Sequence, residues 1–162
     1  MSLNFDPNQN YYFFDKKNSI PIVFIHGVGL DNQMWDYQIN YFNEYSTLTY
    51  DLLGHGKTPC GKDKLNLEDF SNQLLEILDH LEIEKINLIG FSLGSLIALN
   101  FTSHFQKKVE KLILIGTTYK RSDEERSHVL DKYNQAKLNK PISKQTLKRW
   151  FSDKYLEDNP KF

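Results

Sequence analysis

Residues 88 to 95 read LIGFSLGS, a serine between two glycines at the end of an apolar run. Gly90-Phe91-Ser92-Leu93-Gly94 fits G-x-S-x-G, whose physical demand is a very tight strand-to-helix turn that thrusts the serine oxygen outward from a strained backbone. Glycine tolerates the crowding on either side of such a turn. The bland alternative is an ordinary turn serine. It is disfavoured because this match follows a strand-like run and opens a helical pattern, the context in which the motif makes Ser92 a nucleophile.

A serine that attacks a carbonyl needs donors for the oxyanion that forms, and these are usually backbone N–H groups fixed beforehand. One donor is the N–H of Leu93, at the start of the following helix, where the peptide dipoles favour negative charge. The other is expected from His26-Gly27-Val28-Gly29, which also ends an apolar strand and whose glycines let backbone approach a ligand closely; we assign it to the Val28 N–H. Read without Ser92, the same segment is only a strand-ending turn.

Other chemistries fail on spacing. Gly56-Lys57-Thr58 mimics the end of a phosphate loop, but Asp51 stands where the earlier glycine belongs and Pro59 follows where a helix should run. GVGLDN has Asn32 in place of the third glycine of a dinucleotide fingerprint. No histidine pair or carboxylate cluster has metal-ligand spacing, so neither cofactor nor metal is expected. Residues 1 to 106 hold 6 Lys and Arg against 13 Asp and Glu, and residues 107 to 162 hold 14 against 8. The cations of this basic tail alternate with acids at helical spacing, which describes a solvated helix face and disfavours nucleic acid as a partner. A single cysteine, Cys60, excludes an internal disulfide. With no export signal and no apolar run of membrane-spanning length, the expectation is a cytoplasmic protein without membrane contact.

Strands and helices must position these groups. IPIVFIHG (20 to 27), KINLIG (85 to 90) and KLILIG (111 to 116) are short, rich in Ile, Val and Leu, and stopped by glycine, as expected of parallel strands buried on both faces. STLTYD (46 to 51) is a weaker strand. Between them, Asn66 is placed to cap a helix with Leu67, Phe70, Leu74, Leu78 and Leu81 on one stripe. A helix from Leu93 should turn Ile97, Leu99 and Phe101 inward or sideways, and another is expected around 32 to 43 with Met34, Trp35, Ile39 and Phe42. Strand alternating with helix predicts the α/β class, a mostly parallel sheet flanked by helices.

Beyond Gly116 the rhythm changes, because 122 to 162 reads as helices only. Ser122 with Glu125 forms a capping box ahead of Val129, Leu130, Tyr133 and Ala136; Pro141 breaks the pattern, and Ser143 caps a shorter helix through Leu147, Trp150 and Phe151. The expected division is 1–120 for the sheet-bearing core and 121–162 for a helical cover. Size permits this, since 162 residues with 40% hydrophobic and 25% charged can bury a core.

Taken together, HGVG after one strand, YDLLGHGKT after the next, GFSLGS at the nucleophile turn and KLILIGTT beyond resemble the α/β-hydrolase family, in order and spacing, across residues 20 to 120. With RWF at 149 to 151, the combination is similar to the branch of 3-oxoadipate enol-lactonases and related carboxylic-ester hydrolases. The resemblance implies a cofactor-free serine hydrolase acting on a small ester or lactone, with a helical lid inserted after the strand at 111 to 116. Residues 121 to 162 match the start of that lid. Arg121, Arg126 and Arg149 there could favour a carboxylate-bearing substrate, although charges on a helix surface explain them as well.

In that family the triad runs Ser, then Asp or Glu, then His, with acid and base on loops after later strands. The pattern offers no later strand. His26, His55 and His80 precede the serine, His104 ends its helix and His128 lies within a lid helix; none suits the base. Asp123, Glu124 and Glu125 follow a strand, but a helix start accounts for them. The expectation is therefore the N-terminal part of a longer hydrolase, truncated within the lid, inactive alone and poorly folded because a cut sheet exposes an apolar edge. Losing the base from such a triad costs on the order of 10⁶ in turnover. Two rivals stay open: a ligand-binding protein on the same scaffold, and a chain that borrows its base from a partner subunit. The oligomeric state is not legible.

Overall fold

In a computed structural model the described residues are 4–118, 120–137, 148 and 151–158, and the chain forms two compact units, Met1–Thr118 and Tyr119–Phe162. The first unit is a five-stranded sheet with strands β1 (Tyr12–Asp15), β2 (Ile22–Ile25), β3 (Thr47–Tyr50), β4 (Ile86–Phe91) and β5 (Val109–Ile115) in the order β1-β3-β2-β4-β5. β1 runs antiparallel to β3, and every other pairing is parallel. The chain leaves β2 for β3 on one side and then crosses to β4 on the other. Open α/β sheets bind ligands at such a reversal, outside the carboxyl ends of the strands, and both Gly27 and Ser92 stand there.

The centre of the sheet reads as its composition predicts. β2 and β3 are buried at every residue, including the weaker run Thr47–Tyr50. One face is covered by α2 (Leu67–His80) and α3 (Leu93–His104), which seal Val23, Ile25, Leu48, Leu88, Leu74, Ile77 and Ile97 from solvent. Each such aliphatic side chain contributes about 1.5–3 kcal/mol relative to exposure. Asn66 caps α2 as expected, its side chain accepting from the Asp69 N–H while the Asp69 carboxylate accepts from the Asn66 N–H. Ile97 and Phe101 point inward on α3, whereas Leu99 turns to solvent at 50% exposure. On the other face, one turn of 3₁₀ helix (Asn32–Trp35) and α1 (Asp36–Tyr41) replace the single helix expected over 32 to 43. They pack Met34, Trp35, Ile39 and Phe42 on Ile22, Phe24 and Ile89.

Two strands also depart from the expectation. β1 was not anticipated: it is a four-residue edge strand followed by Lys16 and Lys17, too short to show a period. β5 is a strand, but it is not buried on both faces. Leu112 and Leu114 pack toward α3's side, while Ile113 and Ile115 are 51% and 42% exposed because β5 is the sheet's edge and nothing within the first unit covers that face.

The second unit contains α4 (Asp123–Lys137) and α5 (Asp153–Asp158). The capping box at α4 is formed, the Ser122 N–H donating to Glu125 Oε2 (2.8 Å) and the Glu125 N–H to Ser122 Oγ (3.2 Å). α5 was missed; the Ser152 hydroxyl oxygen caps it by accepting from the Tyr155 N–H. Pro141, Ser143, Leu147, Arg149 and Trp150, on which the expected shorter helix rested, lie outside the described residues, as does the side chain of Ala136. No helix among the described residues is long and apolar enough to cross a membrane.

Candidate active site

Ser92 joins β4 directly to α3, with φ 54° and ψ −112°. This is left-handed backbone that a residue bearing a Cβ adopts at a cost of order 1–3 kcal/mol. The crowding that forces it is explicit. A Cβ at Gly90 would collide with the Gly94 carbonyl, and one at Gly94 with the carbonyls of Ile25 and His26. The turn is thus packed against the start of its own helix at Gly90 and against the end of β2 at Gly94, so closely that only hydrogen fits on either side of the serine.

Two hydrogen-bond systems hold the turn. The Ser92 N–H donates to the Ile115 carbonyl at 2.9 Å, anchoring it to the end of β5. Ser95, fully buried one turn into α3, places its hydroxyl oxygen 2.6 Å from the Gly90 carbonyl and 2.8 Å from that of Ile115, and accepts from the Ile115 N–H at 3.1 Å. Ser95 ends the very motif that marked Ser92. Nothing in its type distinguished a stitch between two strand ends from an ordinary helical serine.

The structure brings the turn at Gly27, where the second oxyanion donor was expected, beside Ser92. A Cβ built on Gly27 would lie 3.4 Å from Ser92 Cβ and 3.0 Å from the ring of Phe91. Val28 follows, its side chain 65% exposed, and Gly29 at φ +74° lets the Leu30 N–H close back on the Gly27 carbonyl at 3.3 Å. Leu93 is the first residue of α3. Neither the Val28 nor the Leu93 N–H has an acceptor among the described residues, as is general for the first N–H of a helix such as that of Leu93.

The histidines are occupied elsewhere. His26 is fully buried; its Nε2 accepts from the Leu52 N–H at 3.0 Å, so the ring proton resides on Nδ1 and is donated to the Gly27 carbonyl at 2.8 Å. Burial pushes its pKa down, against a rise from the Gly27 carbonyl, with His55 lowering it further and Asp51 and Asp31 raising it. With both nitrogens engaged, His26 shapes the turn. His55 lies edge-on to His26 with Nδ1 3.0 Å from the Leu53 carbonyl oxygen, and His80 lies against the Tyr12 ring. His104 closes α3, about 16 Å along the axis from Leu93 at 1.5 Å per residue, with Nδ1 2.9 Å from the Asn100 carbonyl oxygen. His128 belongs to the second unit and is exposed. Arg121 and Arg126 are exposed there as well.

Asp51 does not belong to a nucleotide loop. It is a buried carboxylate whose Oδ1 accepts from the Asn32 N–H (2.9 Å) and Asn32 Nδ2 (2.6 Å) and whose Oδ2 accepts from the Lys57 N–H (2.7 Å). No group of three His, Cys, Asp or Glu among the described residues could hold a metal ion. A hollow of about 530 Å³ lies at the opposite end of the strands, between Lys16, Pro21, Ser46 and Lys85. It is remote from Ser92.

Residues 20–155 match the alpha/beta hydrolase fold family. Among curated relatives, (E)-2-((N-methylformamido)methylene)succinate hydrolase of Acinetobacter baylyi is 29% identical over 96% of this chain and 60% of its own. The 3-oxoadipate enol-lactonase 2 of the same organism is 26% identical over 93% and 57%. Among solved structures, the enol-lactonase of Burkholderia xenovorans LB400 superposes with a TM-score of 0.77 at 26% identity, covering 93% of this chain and 60% of that one. The chain thus spans about 60% of the length of the relatives it matches. It is a member of the alpha/beta hydrolase fold family, related to enol-lactonases and esterases.

Proposed function

We propose that the chain is the N-terminal part of a serine hydrolase that cleaves a small carboxylic ester or lactone through an acyl-enzyme. The observation that carries this reading is the backbone of Ser92, held at φ 54° between two glycines that admit no side chain. A fold does not maintain such strain at a serine without use for an outward-facing hydroxyl. Ser92 Oγ attacks the carbonyl carbon, and the electron pair of the C=O bond moves to oxygen, where the N–H groups of Val28 and Leu93 receive the charge. Collapse expels the alcohol, or opens the lactone ring, and water then releases the acid. The serine proton is taken by a histidine paired with an acid, both assigned to sequence beyond Phe162. The shares of the relatives that this chain covers support that division. Residues 121–162 are assigned to the start of a helical lid.

The test is covalent labelling with a fluorophosphonate in a protein that continues past Phe162. A single adduct on Ser92, abolished in Ser92→Ala and accompanied by ester or lactone turnover, is the expected result. An intact fold that binds such compounds yet takes no label would make it a binding protein on a hydrolase scaffold.

A further inference from the structure

We propose that Asp51 is a positioning residue that sets the oxyanion turn. The proposal rests on the reading of Val28 as an oxyanion donor. Ser92 is fixed by β4, α3 and Ile115, but the Gly27–Asp31 segment opposite it is a glycine-bearing loop that leaves β2 and must be held at its far end. That end is Asn32. Asp51, immediately after β3, accepts both the backbone and the side-chain N–H of Asn32 on Oδ1. Charge-assisted bonds of this kind are about twice as strong as neutral ones.

The carboxylate is itself held on its other side. The Lys57 N–H donates to Oδ2, and Gly56, at φ +51°, lets the 54–57 loop close so tightly that a Cβ there would overlap the carboxyl group. Lys57 is braced in turn by its ammonium 4.1 Å from the centre of the Tyr11 ring, and the Tyr11 N–H donates to Thr58 Oγ1. The Asp51 N–H donates to the Tyr11 carbonyl. A buried anion with a donor set on each oxygen joins two loops that otherwise share no strand. One oxygen serves the oxyanion turn and the other the 54–57 loop.

That division of labour gives a test in a protein that continues past Phe162. Amide hydrogen exchange is measured by mass spectrometry for wild type, Asp51→Ala, Asp51→Asn and Asn32→Ala, together with the rate at which excess fluorophosphonate modifies Ser92 over hours. In Asp51→Ala, residues 28–33 should exchange at least about tenfold faster and modification should slow by a similar factor, while residues 86–91 keep their protection. Asp51→Asn retains an oxygen for the two Asn32 donors, so it should loosen residues 54–57 and leave modification unchanged. Unaltered exchange at 28–33 in Asp51→Ala, or acceleration spread equally over β4, overturns the proposal, as does a loosened turn with an unaltered modification rate. If Asp51→Ala does not fold, Asn32→Ala decides: faster exchange confined to 28–33 supports the clasp, and no change there overturns it. A wild-type protein that continues past Phe162 and takes no adduct on Ser92 would overturn the hydrolase reading instead, and the exchange data would still decide whether Asp51 holds the turn.

Discussion

Gly27 stands so near Ser92 that a methyl group on its α-carbon would lie 3.4 Å from the serine Cβ and 3.0 Å from the Phe91 ring. The gap between the turn at Gly27 and the elbow at Ser92 is therefore set by a glycine, and Gly27→Ala should act on it selectively. The Phe91 ring must give by a few tenths of an ångström, costing about 1–3 kcal/mol as in other overpacked sites. Fluorophosphonate labelling of Ser92 should slow by on the order of tenfold or more, since small displacements of aligned groups are expensive in rate. Urea unfolding and labelling kinetics on one preparation check both effects; an unchanged labelling rate would show that the turn does not serve Ser92.

The strain at Ser92 is itself measurable. Ser92→Ala removes the hydroxyl but keeps a Cβ at φ 54°, whereas Ser92→Gly removes both. The glycine variant should exceed the alanine variant in stability by about 1 kcal/mol, because relief of a left-handed backbone outweighs the added freedom of the unfolded chain. Equal urea midpoints would mean that the elbow stores no strain.

Ser95 offers the complementary case, a residue whose loss should destabilise the turn without touching the reacting atoms. Ser95→Ala leaves the part-buried Ile115 N–H without its acceptor and takes a donor from the Gly90 and Ile115 carbonyls. The expected loss is about 1–3 kcal/mol, read from the urea midpoint at constant m-value.

His26 should give the fold an acid-sensitive flank. Its folded pKa lies below the ordinary value of 6.5, chiefly through burial, and the neutral ring is the form that accepts the Leu52 N–H. The unfolded chain therefore binds the proton first. The stabilisation is fully present above pH 6.5 and is lost as pH falls below it toward the folded pKa, at up to about 1.4 kcal/mol per pH unit. Urea unfolding between pH 7.5 and 5.5 should show that slope in wild type and a flatter one in His26→Gln.

What could be read from the residues alone follows physical lines. Ser92, Gly27 and the α2 cap were legible because each is a local demand: a turn only glycine admits, a polar side chain one turn before a carboxylate. Asp51 and Ser95 were not, because their roles exist only between segments far apart in sequence, Asn32 with Lys57 and Gly90 with Ile115. The strand at 111 to 116 shows the limit of composition. Its Ile and Leu content resembles that of β4, yet Ile113 and Ile115 face solvent, since the residues say that a strand seeks cover on both faces and not which segment supplies it.

That uncovered face governs how the 162-residue chain should behave in solution. Ile113 pairs with Ile89 and Ile115 with Phe91 across β4, so the two exposed side chains extend an apolar surface that is buried one strand further in. β5 also presents an edge with no strand beyond it among the described residues. An apolar edge and face together favour self-association, and charge placed there opposes it. Ile113→Lys with Ile115→Lys should raise the concentration at which the chain stays monomeric in sedimentation velocity, while leaving the thermal midpoint of the first unit nearly unchanged, because both side chains are already close to half exposed. A fall of several degrees without gain in solubility would mean that these isoleucines are covered in solution, and that the sheet's cover is supplied within the chain itself.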